Sequence, residues 1–281
     1  MKVLLIGWNE NAQKCAESIF ASKHRLVGFV APEGFDIKSV KLYCEKKDIN
    51  FAVLSKQNLI EYVKKLSPDI IVSASWPWIL KSDVYLYPKY GTINVHASLL
   101  PKNRGQHPLN WAIIRGEKQT GVTIHYIGEG IDDGDIILQQ ALPIEINDNI
   151  NSVRDKVIHL GAELVVQALD LIQKGKAPAR KQNQAEASFA PKRLPGDGEI
   201  SWGAPSKDIF NLIRALAKPY PSAFSYKKRG GIVKISKAFV PDRPGVVIGK
   251  YKNLFIVTTG DGVILVKSQD LEVGDKLYIP E

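Results

Sequence analysis

Two polar residues, one suited to proton transfer and one to oxyanion binding, lie close together in a short apolar stretch. Asn94 and His96 occupy alternate positions in and just after Gly91–Val95, so on a strand their side chains share one face. Polar groups on a face that should be apolar need partners, because burying them unpaired costs free energy. A histidine can exchange protons near neutral pH, and an amide can donate a hydrogen bond to an oxyanion. Since α/β folds bind ligands at the carboxyl ends of strands, we predict a ligand site here.

A longer motif surrounds this pair and adds an acidic residue. The chain reads NVHASLLP at 94–101 and RG at 104–105, and Asp132 follows thirty-six residues after His96 in the setting Asp-x-Gly-Asp. These residues resemble the 10-formyltetrahydrofolate-dependent formyltransferases, and the resemblance covers nearly the whole chain. In the last third, the stretch 213–224 contains Lys-Pro-Tyr-Pro-Ser and is most similar to the branch that formylates nucleotide-linked amino sugars. That branch includes the formyltransferase domain for UDP-4-amino-4-deoxyarabinose.

Formyl transfer has three chemical requirements that these residue types can meet. The acceptor amine loses a proton, the leaving N10 of the folate gains one, and an oxyanion forms in between. The resemblance implies that Asn94 polarises the carbonyl and holds the oxyanion and that His96 is the general acid and base. It also implies that Asp132 raises the pKa of His96. Each residue alone has an ordinary structural interpretation, such as a satisfied core histidine or a capping side chain, but the three together are far more specific.

The resemblance also implies which residues contact the two substrates. The cosubstrate is 10-formyltetrahydrofolate, and no metal is expected. A flat pterin needs an apolar slot with backbone hydrogen bonds, and the implied contacts are Trp78, Ile79, Leu80, Gly128, Glu129, Gly130, Ile131 and Asp132. The alternative interpretations are hydrophobic packing for the tryptophans and a plain glycine turn for 128–134. The implied acceptor contacts are Ser98, Arg104, Gln106 and His107.

Two features near these contacts bear on their interpretation. Gln106 stands where the aminoarabinose enzymes carry an arginine that touches substrate, so this departure leaves the identity of the acceptor open. Of the other histidines, His125 is predicted on a strand and His159 on a helix, and packing or exposure is the expected role of both.

The elements that must position these residues alternate between strand and helix along the first half. Apolar segments predict strands at Lys2–Gly7, Leu26–Val30, Phe51–Leu54 and Asp69–Ala74, with helices at Ala12–Ser22, Val40–Lys47 and Asn58–Leu66. Such alternation predicts a Rossmann-like α/β domain, in which a parallel sheet is covered by helices on both faces. Gly7 is not followed by the GxGxxG pattern, which excludes the usual dinucleotide-binding loop.

Shorter elements follow the motif, and the composition changes from about Pro191. The sequence predicts Pro108–Arg115 as a helix, Gly121–Tyr126 and Asp135–Leu142 as strands, Ile150–Lys174 as a helix capped by Asp148 or Asn149, and Gly175–Ser188 as a polar linker. Beyond a helix at Ser206–Ala217, short strands are predicted at Ile232–Ile235, Gly245–Gly249, Leu254–Thr259 and Val263–Lys267. These indicate a small barrel or open sheet, and the resemblance implies an OB-like β-barrel. We predict a Rossmann-like formyltransferase catalytic domain at 1–190 and an OB-like domain at 191–281.

Composition narrows the class of protein and its partners. The 281 residues are 44% hydrophobic and 24% charged, as in an ordinary globular chain. No apolar run approaches the ~18 residues that span a bilayer, and the opening segment is too short for a signal peptide. Cys15 and Cys44 are isolated, which predicts a reducing cytoplasm and no metal site. The net charge of +9 comes mostly from scattered lysines, so we expect small polyanions as partners, with no nucleic acid and no membrane.

Three functions compete. The preferred one is N-formylation of a UDP- or dTDP-linked 4-amino-4,6-dideoxy sugar for surface polysaccharide biosynthesis, by an enzyme that could form a homodimer. The alternative is a methionyl-tRNA formyltransferase. Those enzymes carry a basic insertion where Ala31–Ser39 has only Lys38, and their last domain is longer than the roughly ninety residues after Lys192. The third is a non-catalytic folate- or nucleotide-binding module, against which the complete Asn-His-Asp set argues.

Overall fold

The structure is a computed structural model, and it describes residues 1–227, 231–238, 247–258, 262–266 and 272–275. The chain divides into two compact units, Met1–Ile113 with Glu117–Leu194, and Ile114–Gly116 with Pro195–Glu281. None of the helices in the described ranges combines the length and the apolar character that crossing a membrane requires.

A mixed sheet forms the centre of the first unit. The strands are β1 Lys2–Gly7, β2 Arg25–Pro32, β3 Phe51–Leu54, β4 Ile70–Ala74, β5 Thr92–His96, β6 Arg104–Gly105, β7 Gln119–Tyr126, β8 Ile136–Pro143 and β9 Phe189–Ala190. Seven of them join one sheet in the order β3-β2-β1-β4-β5-β7-β8. The neighbours from β3 to β5 are parallel, whereas β7 and β8 are antiparallel. The predicted parallel sheet is therefore confirmed and is extended at one edge by an antiparallel hairpin.

The helices of the first unit lie close to their predicted positions. Their bounds are α1 Glu10–Phe20, α2 Lys38–Lys46, α3 Leu59–Leu66, α4 Ser82–Tyr85, α5 Pro108–Ile114 and α6 Ile150–Gln173. Of the two candidate caps of α6, the side chain of Asn149 accepts hydrogen bonds from the backbone N–H groups of Asn151 and Ser152. Asp148 instead lies 2.8 Å from the ammonium of Lys156. The single turn α4 and the two-residue strands β6 and β9, which pair in parallel, had not been predicted.

The glycine that ends β1 has a packing role. A Cβ on Gly7 would lie 2.1 Å from the carbonyl oxygen of Ala74 and 2.5 Å from the Cβ of Ala12. Only glycine therefore lets β4 and α1 approach β1 this closely. This explains a glycine at the end of the first strand in a chain that lacks the dinucleotide-binding pattern.

The second unit is a small β unit with one helix. Its elements are α7 Ser206–Ala215, β10 Ala223–Tyr226, β11 Ile232–Ile235, β12 Val247–Tyr251, β13 Leu254–Thr258 and β14 Val263–Val266. The strands β10 and β11 form one antiparallel pair, and β12, β13 and β14 form a three-stranded antiparallel sheet. The predicted strand residues Gly245, Val246, Thr259 and Lys267 lie outside the described residues. The small carboxyl-terminal β domain is confirmed, and closure into an OB-like barrel stays a prediction.

Candidate active site

The structure brings Asn94, His96 and Asp132 together at the carboxyl end of β5. Nδ1 of His96 lies 3.5 Å from Oδ2 of Asp132, and the amide nitrogen of Asn94 lies 3.3 Å from Oδ1 of the same carboxylate. Asn94 and His96 share a face of β5, as the alternation predicted. The carboxylate therefore stands between the two strand residues and contacts each of them through a different oxygen.

The loop that carries Asp132 has an uncommon backbone conformation. This loop connects β7 to β8, and Asp132 has φ +49°, in the left-handed region that residues other than glycine rarely adopt. The backbone N–H of Gly105 donates a hydrogen bond of 2.9 Å to Oδ2 of Asp132. Gly105 has φ +101°, and a Cβ there would lie 2.9 Å from the carbonyl oxygen of Ala190. Glycine at position 105 is thus required for the bond that aims the carboxylate.

His96 is held through one ring nitrogen and can exchange a proton through the other. Nε2 lies 3.0 Å from the carbonyl oxygen of Asn103, so an Nε2–H donates to it and is not available to a substrate. The other nitrogen, Nδ1, lies at 3.5 Å from Asp132, which leaves room for a shared contact with an incoming group. Nδ1 is therefore the nitrogen that can serve as base and acid.

Burial and charge act on the pKa of His96 in opposite directions. Burial lowers the pKa of His96 more than the negative charge of Asp132 raises it, and the neighbouring His125 lowers it further. The predicted effect of Asp132 has the expected sign, but the net pKa of His96 lies below its ordinary value because the ring is only 5% exposed. At neutral pH the imidazole is therefore mostly neutral and ready to accept a proton.

Asp132 is ionised throughout the physiological range. Burial alone would raise the pKa of its carboxyl, but the charge of His96, the nearby ring of His125 and the N–H of Gly105 together lower it. An ionised carboxylate beside a neutral imidazole stabilises the imidazolium that forms when the ring takes a proton.

A second histidine belongs to this cluster, although packing or exposure was predicted for it. His125 is 1% exposed, and its Nε2 lies 3.6 Å from Oδ1 of Asp132 and 3.3 Å from the amide nitrogen of Asn94. Its Nδ1 lies 2.8 Å from the carbonyl oxygen of Tyr126. The pairing of β5 with β7 places His125 directly opposite Asn94. The sequence carried no evidence of this register, because it depends on how two distant strands align.

These contacts also define how Asn94 can act. Its NH₂ group faces the Asp132 carboxylate, because the opposite amide orientation would set two oxygens against each other at 3.3 Å. The second amide hydrogen faces Nε2 of His125 at 3.3 Å, which is long for a hydrogen bond. Asn94 can therefore exchange this weaker partner for an oxyanion, in keeping with the tightening of catalytic hydrogen bonds when substrate binds.

The predicted folate contacts fall into different environments. Leu80 is buried and belongs to an apolar cluster against which Trp76 and Ile127 pack, so the aromatic loop and the start of the glycine-rich loop meet at one core. Ile79 and Ile131 are 68% and 52% exposed, leaving apolar surface on both loops. Among the described residues, the buried indole N–H of Trp76 has no hydrogen-bond partner. Exposed apolar side chains and an unpaired donor are groups that a flat, polar-edged ring can contact.

The remaining predicted folate contacts lie close by in the chain. The ring of Trp78 meets that of Trp76 edge-on, with centroids 5.2 Å apart. Glu129 and Gly130 are exposed, and Gly128 is half-buried. The contact of these residues with folate stays a prediction.

The four predicted acceptor contacts differ in accessibility. The hydroxyl of Ser98 is buried and donates to the carbonyl of Lys102 at 2.7 Å, and Arg104 is 4% exposed. Gln106 is exposed, and His107 is half-buried with φ +56°. Burial, followed by the charges of nearby basic side chains, lowers the pKa of His107. Ser98 and Arg104 thus have clear structural roles, and contact with the acceptor stays a prediction for all four.

The described residues contain no group of three His, Cys, Asp or Glu side chains arranged to hold a metal ion. Cys15 and Cys44 are both buried and free. Burial raises the pKa of each thiol to about 12, so neither is a reactive nucleophile at neutral pH.

Two families of known proteins match this chain, one in each of its two units. The formyl transferase family matches residues 8–169, and the carboxyl-terminal domain of formyl transferases matches residues 194–281. The methionyl-tRNA formyltransferase of Alkaliphilus oremlandii is 34% identical over 95% of this chain and 91% of its own. That of Pelotomaculum thermopropionicum is 41% identical over 82% of this chain and 72% of its own.

A solved structure with the same fold carries two ligands. The N-formyltransferase from Helicobacter canadensis, in complex with folinic acid and dTDP-3-aminofucose, superposes with a TM-score of 0.72 and 24% identity. The superposition covers 95% of this chain and 99% of that protein, and at this identity it supports the fold alone. Because the family match covers more than half of the sequence and the tRNA-formylating relatives align over most of it, the chain belongs to the formyl transferase family.

Proposed function

We propose that this protein transfers a formyl group from 10-formyltetrahydrofolate to a primary amine. The observation that carries the proposal is the cluster of Asn94, His96 and Asp132, which lies inside the region matched by the formyl transferase family. The folate donor is supported by the unpaired indole N–H of Trp76, by the exposed Ile79 and Ile131, and by the folinic acid in the Helicobacter canadensis complex.

Each residue of the cluster has one task in this reaction. When bound, the folate supplies the formyl carbon and the leaving nitrogen N10. His96 accepts a proton at Nδ1 from the attacking amine while the new bond to carbon forms, and it later donates that proton to N10 while the old bond breaks. Asp132 stabilises the imidazolium between these steps. Asn94 donates its NH₂ to the negative charge that develops on the formyl oxygen.

The acceptor that the relatives support best is the amino group of methionyl-tRNA. Relatives at 34% and 41% identity are methionyl-tRNA formyltransferases, whereas the structure with a bound amino sugar is only 24% identical. The preference for a nucleotide sugar drawn from the sequence motifs is therefore less well supported than its alternative. A net charge of +9 suits a substrate that carries many phosphates.

A nucleotide-linked amino sugar is the second candidate, and one structural observation favours it. The connection from β2 to α2 runs only from Glu33 to Ile37, without a basic residue. Within it, the ring of Phe35 packs against Trp8 with centroids 4.9 Å apart. A compact aromatic turn leaves little surface for the phosphates of a nucleic acid at this position.

A direct competition between acceptors tests the proposal. The full-length protein is incubated with 10-formyltetrahydrofolate and either methionyl initiator tRNA or a panel of UDP- and dTDP-linked amino sugars, and products are weighed for one added formyl group. We expect methionyl-tRNA to be formylated, with apparent affinity that falls steeply as salt rises. Formylation of a sugar nucleotide alone would reverse the order of the two acceptors. Failure with every amine, with folded protein, would contradict formyl transfer itself.

A further inference from the structure

One buried side chain outside the catalytic cluster holds the loop that carries Asp132. Gln182 lies in the stretch predicted as a polar linker, yet it is only 8% exposed. Its Nε2 donates hydrogen bonds of 2.8 Å to the carbonyl oxygens of both Asp132 and Gly134. Its Oε1 accepts from Nε and Nη2 of Arg104, at 3.1 Å and 2.7 Å. Every donor and acceptor site of this amide is therefore in use.

The contacts leave no freedom in the orientation of the amide. The guanidinium of Arg104 can only donate, so the oxygen of Gln182 must face it, and the two loop carbonyls can only accept, so the NH₂ must face them. A carboxylate at this position would set oxygen against two carbonyl oxygens, and an ammonium would leave Arg104 without its acceptor. Among ordinary side chains of this length, glutamine alone fits both neighbours.

Gln182 is itself held by a buried cation, the guanidinium of Arg104. Arg104 is 4% exposed, and its Nη1 donates to Oε1 of Gln184 at 2.8 Å. No carboxylate of the described residues lies within ion-pair distance of it, so amide oxygens are its partners in place of water. The next residue, Gly105, donates its backbone N–H to the carboxylate of Asp132. Arg104 and Gly105 thus reach the same loop, one through Gln182 and one directly.

This link matters because of the backbone of Asp132. A left-handed residue other than glycine persists only when its surroundings determine it. The carbonyl of Asp132 itself and that of Gly134, two residues later, both bond to one amide, so the backbone directly after the strained Cα is held in place. Release of these carbonyls would let the backbone at 132 relax and would turn the carboxylate away from His96.

We infer that Gln182 is a positioning residue, which orders the loop at 127–134 so that the Asp132 carboxylate faces His96. The inference rests on the proposed function, because it takes the cluster around Asp132 as catalytic. It predicts an effect on the rate of the chemical step and on the titration of His96.

The experiment compares Gln182→Met with Gln184→Met, since Gln184 also bonds Arg104 but contacts no loop carbonyl in the bonds described. We expect Gln182→Met to lower kcat by about tenfold to a hundredfold, the effect of a misplaced catalytic group. Without the nearby carboxylate the pKa of His96 falls, so the acid limb of the pH–rate profile moves to lower pH. Gln184→Met should leave both quantities unchanged.

Two further measurements keep the test decisive. NMR titration of His96 in the substrate-free protein reads the same pKa change without any turnover, so it tests the link even if formyl transfer fails. If Gln182→Met does not fold, Gln182→Glu replaces it, because a carboxylate still satisfies Arg104 while repelling both loop carbonyls. Wild-type kcat together with an unchanged His96 titration in a folded variant at position 182 would overturn the inference. An equal change in Gln184→Met would overturn it as well.

Discussion

The strands β1 and β4 differ from β5 and β7 in the side chains that they bury, although all four belong to one sheet. Only the second pair buries histidines. Leu4, Ile6 and Ile71 are apolar and fully buried. The other two strands bury His96 and His125, at 5% and 1% exposure. Burying apolar side chains stabilises a fold, whereas burying polar groups costs free energy unless they find hydrogen-bond partners. The apolar side chains therefore contribute chiefly to stability, whereas the two histidines hold a cluster that can exchange protons.

We therefore expect substitutions of the polar cluster and substitutions of the apolar core to have different effects. Changes to the polar side chains of β5 and of the loop after β7 should lower turnover while the fold persists. Changes in β1 and β4 should lower the free energy of unfolding while each folded molecule keeps its activity. Substitutions at both kinds of position test this expectation.

The largest effect is expected for His96→Ala and Asn94→Ala. Loss of a general acid and base, or of the donor to the developing oxyanion, should lower kcat by about a hundredfold to ten-thousandfold. Turnover of the accepted amine is measured with purified protein, and circular dichroism confirms the fold. Near wild-type turnover in either folded variant would contradict the assignment of the cluster.

The opposite pattern is expected for Ile71→Ala in β4. Removing a fully buried isoleucine should lower the free energy of unfolding by about 2–5 kcal/mol, because the cavity closes only in part. Chemical denaturation measures this loss, and kcat per folded molecule should stay within about twofold of wild type. The control is Leu42→Ala, at a side chain that is 66% exposed, which should change stability by less than about 0.5 kcal/mol. If Ile71→Ala lowered kcat as strongly as His96→Ala, core residues and cluster residues would not differ in their effects on turnover, and the expectation would be wrong.

A smaller effect on rate, with a shift in pH, is expected for Asp132→Asn. The carboxylate raises the pKa of His96 against the effect of burial, so its removal lowers that pKa further. The acid limb of the rate profile should then move to lower pH, and the maximum rate should fall by about tenfold to a thousandfold. The neighbouring change Asp133→Asn serves as the control. A lower rate with an unmoved profile would mean that Asp132 only supports its loop.

The smallest effect concerns stability at mildly acidic pH. Burial lowers the pKa of His96 and, despite the nearby Asp170, that of His24 as well. Because these folded-state values lie below the ~6.5 of an unfolded histidine, the unfolded chain binds more protons, and stability falls as pH drops below about 6.5. The lowered pKa of Asp132 acts only below the ~3.9 of an unfolded aspartate, so it does not alter this window.

The measurement is the melting temperature between about pH 7.5 and pH 5.5, where we expect a decrease of a few degrees. His24→Gln should make that decrease smaller, because one buried histidine no longer resists protonation. A melting temperature that stays constant or rises as the pH falls would contradict these pKa directions.

Local patterns in the sequence predicted most of the fold and three residues of the site. Unbroken apolar runs such as Lys2–Gly7 identify buried strands without any knowledge of the rest of the chain. The alternation of Asn94 and His96 placed both on one face of β5, and the family motif connected Asp132 to them. These inferences needed only neighbouring residues or a resemblance across the whole motif.

The parts that were not predicted depend on contacts between distant segments. His125 joins the cluster through the register of β5 against β7, which no local pattern contains. Gln182 reaches the loop at Asp132 from fifty residues away and resembled an ordinary linker residue. The strands β6 and β9 are two residues long each and exist only because they pair with each other. In each case the sequence did not reveal which distant segments lie side by side in the folded protein.

The left-handed backbone at Asp132 has a consequence for variant libraries of this protein. Glycine adopts this conformation without strain, and asparagine tolerates it well. A library randomised at position 132 and sorted only for soluble, folded protein should therefore become enriched in glycine and asparagine. Sorting the same library for growth that requires the reaction should return aspartate. Sequencing the two sorted pools would show how the residues that activity requires at position 132 differ from those that best fit its left-handed backbone.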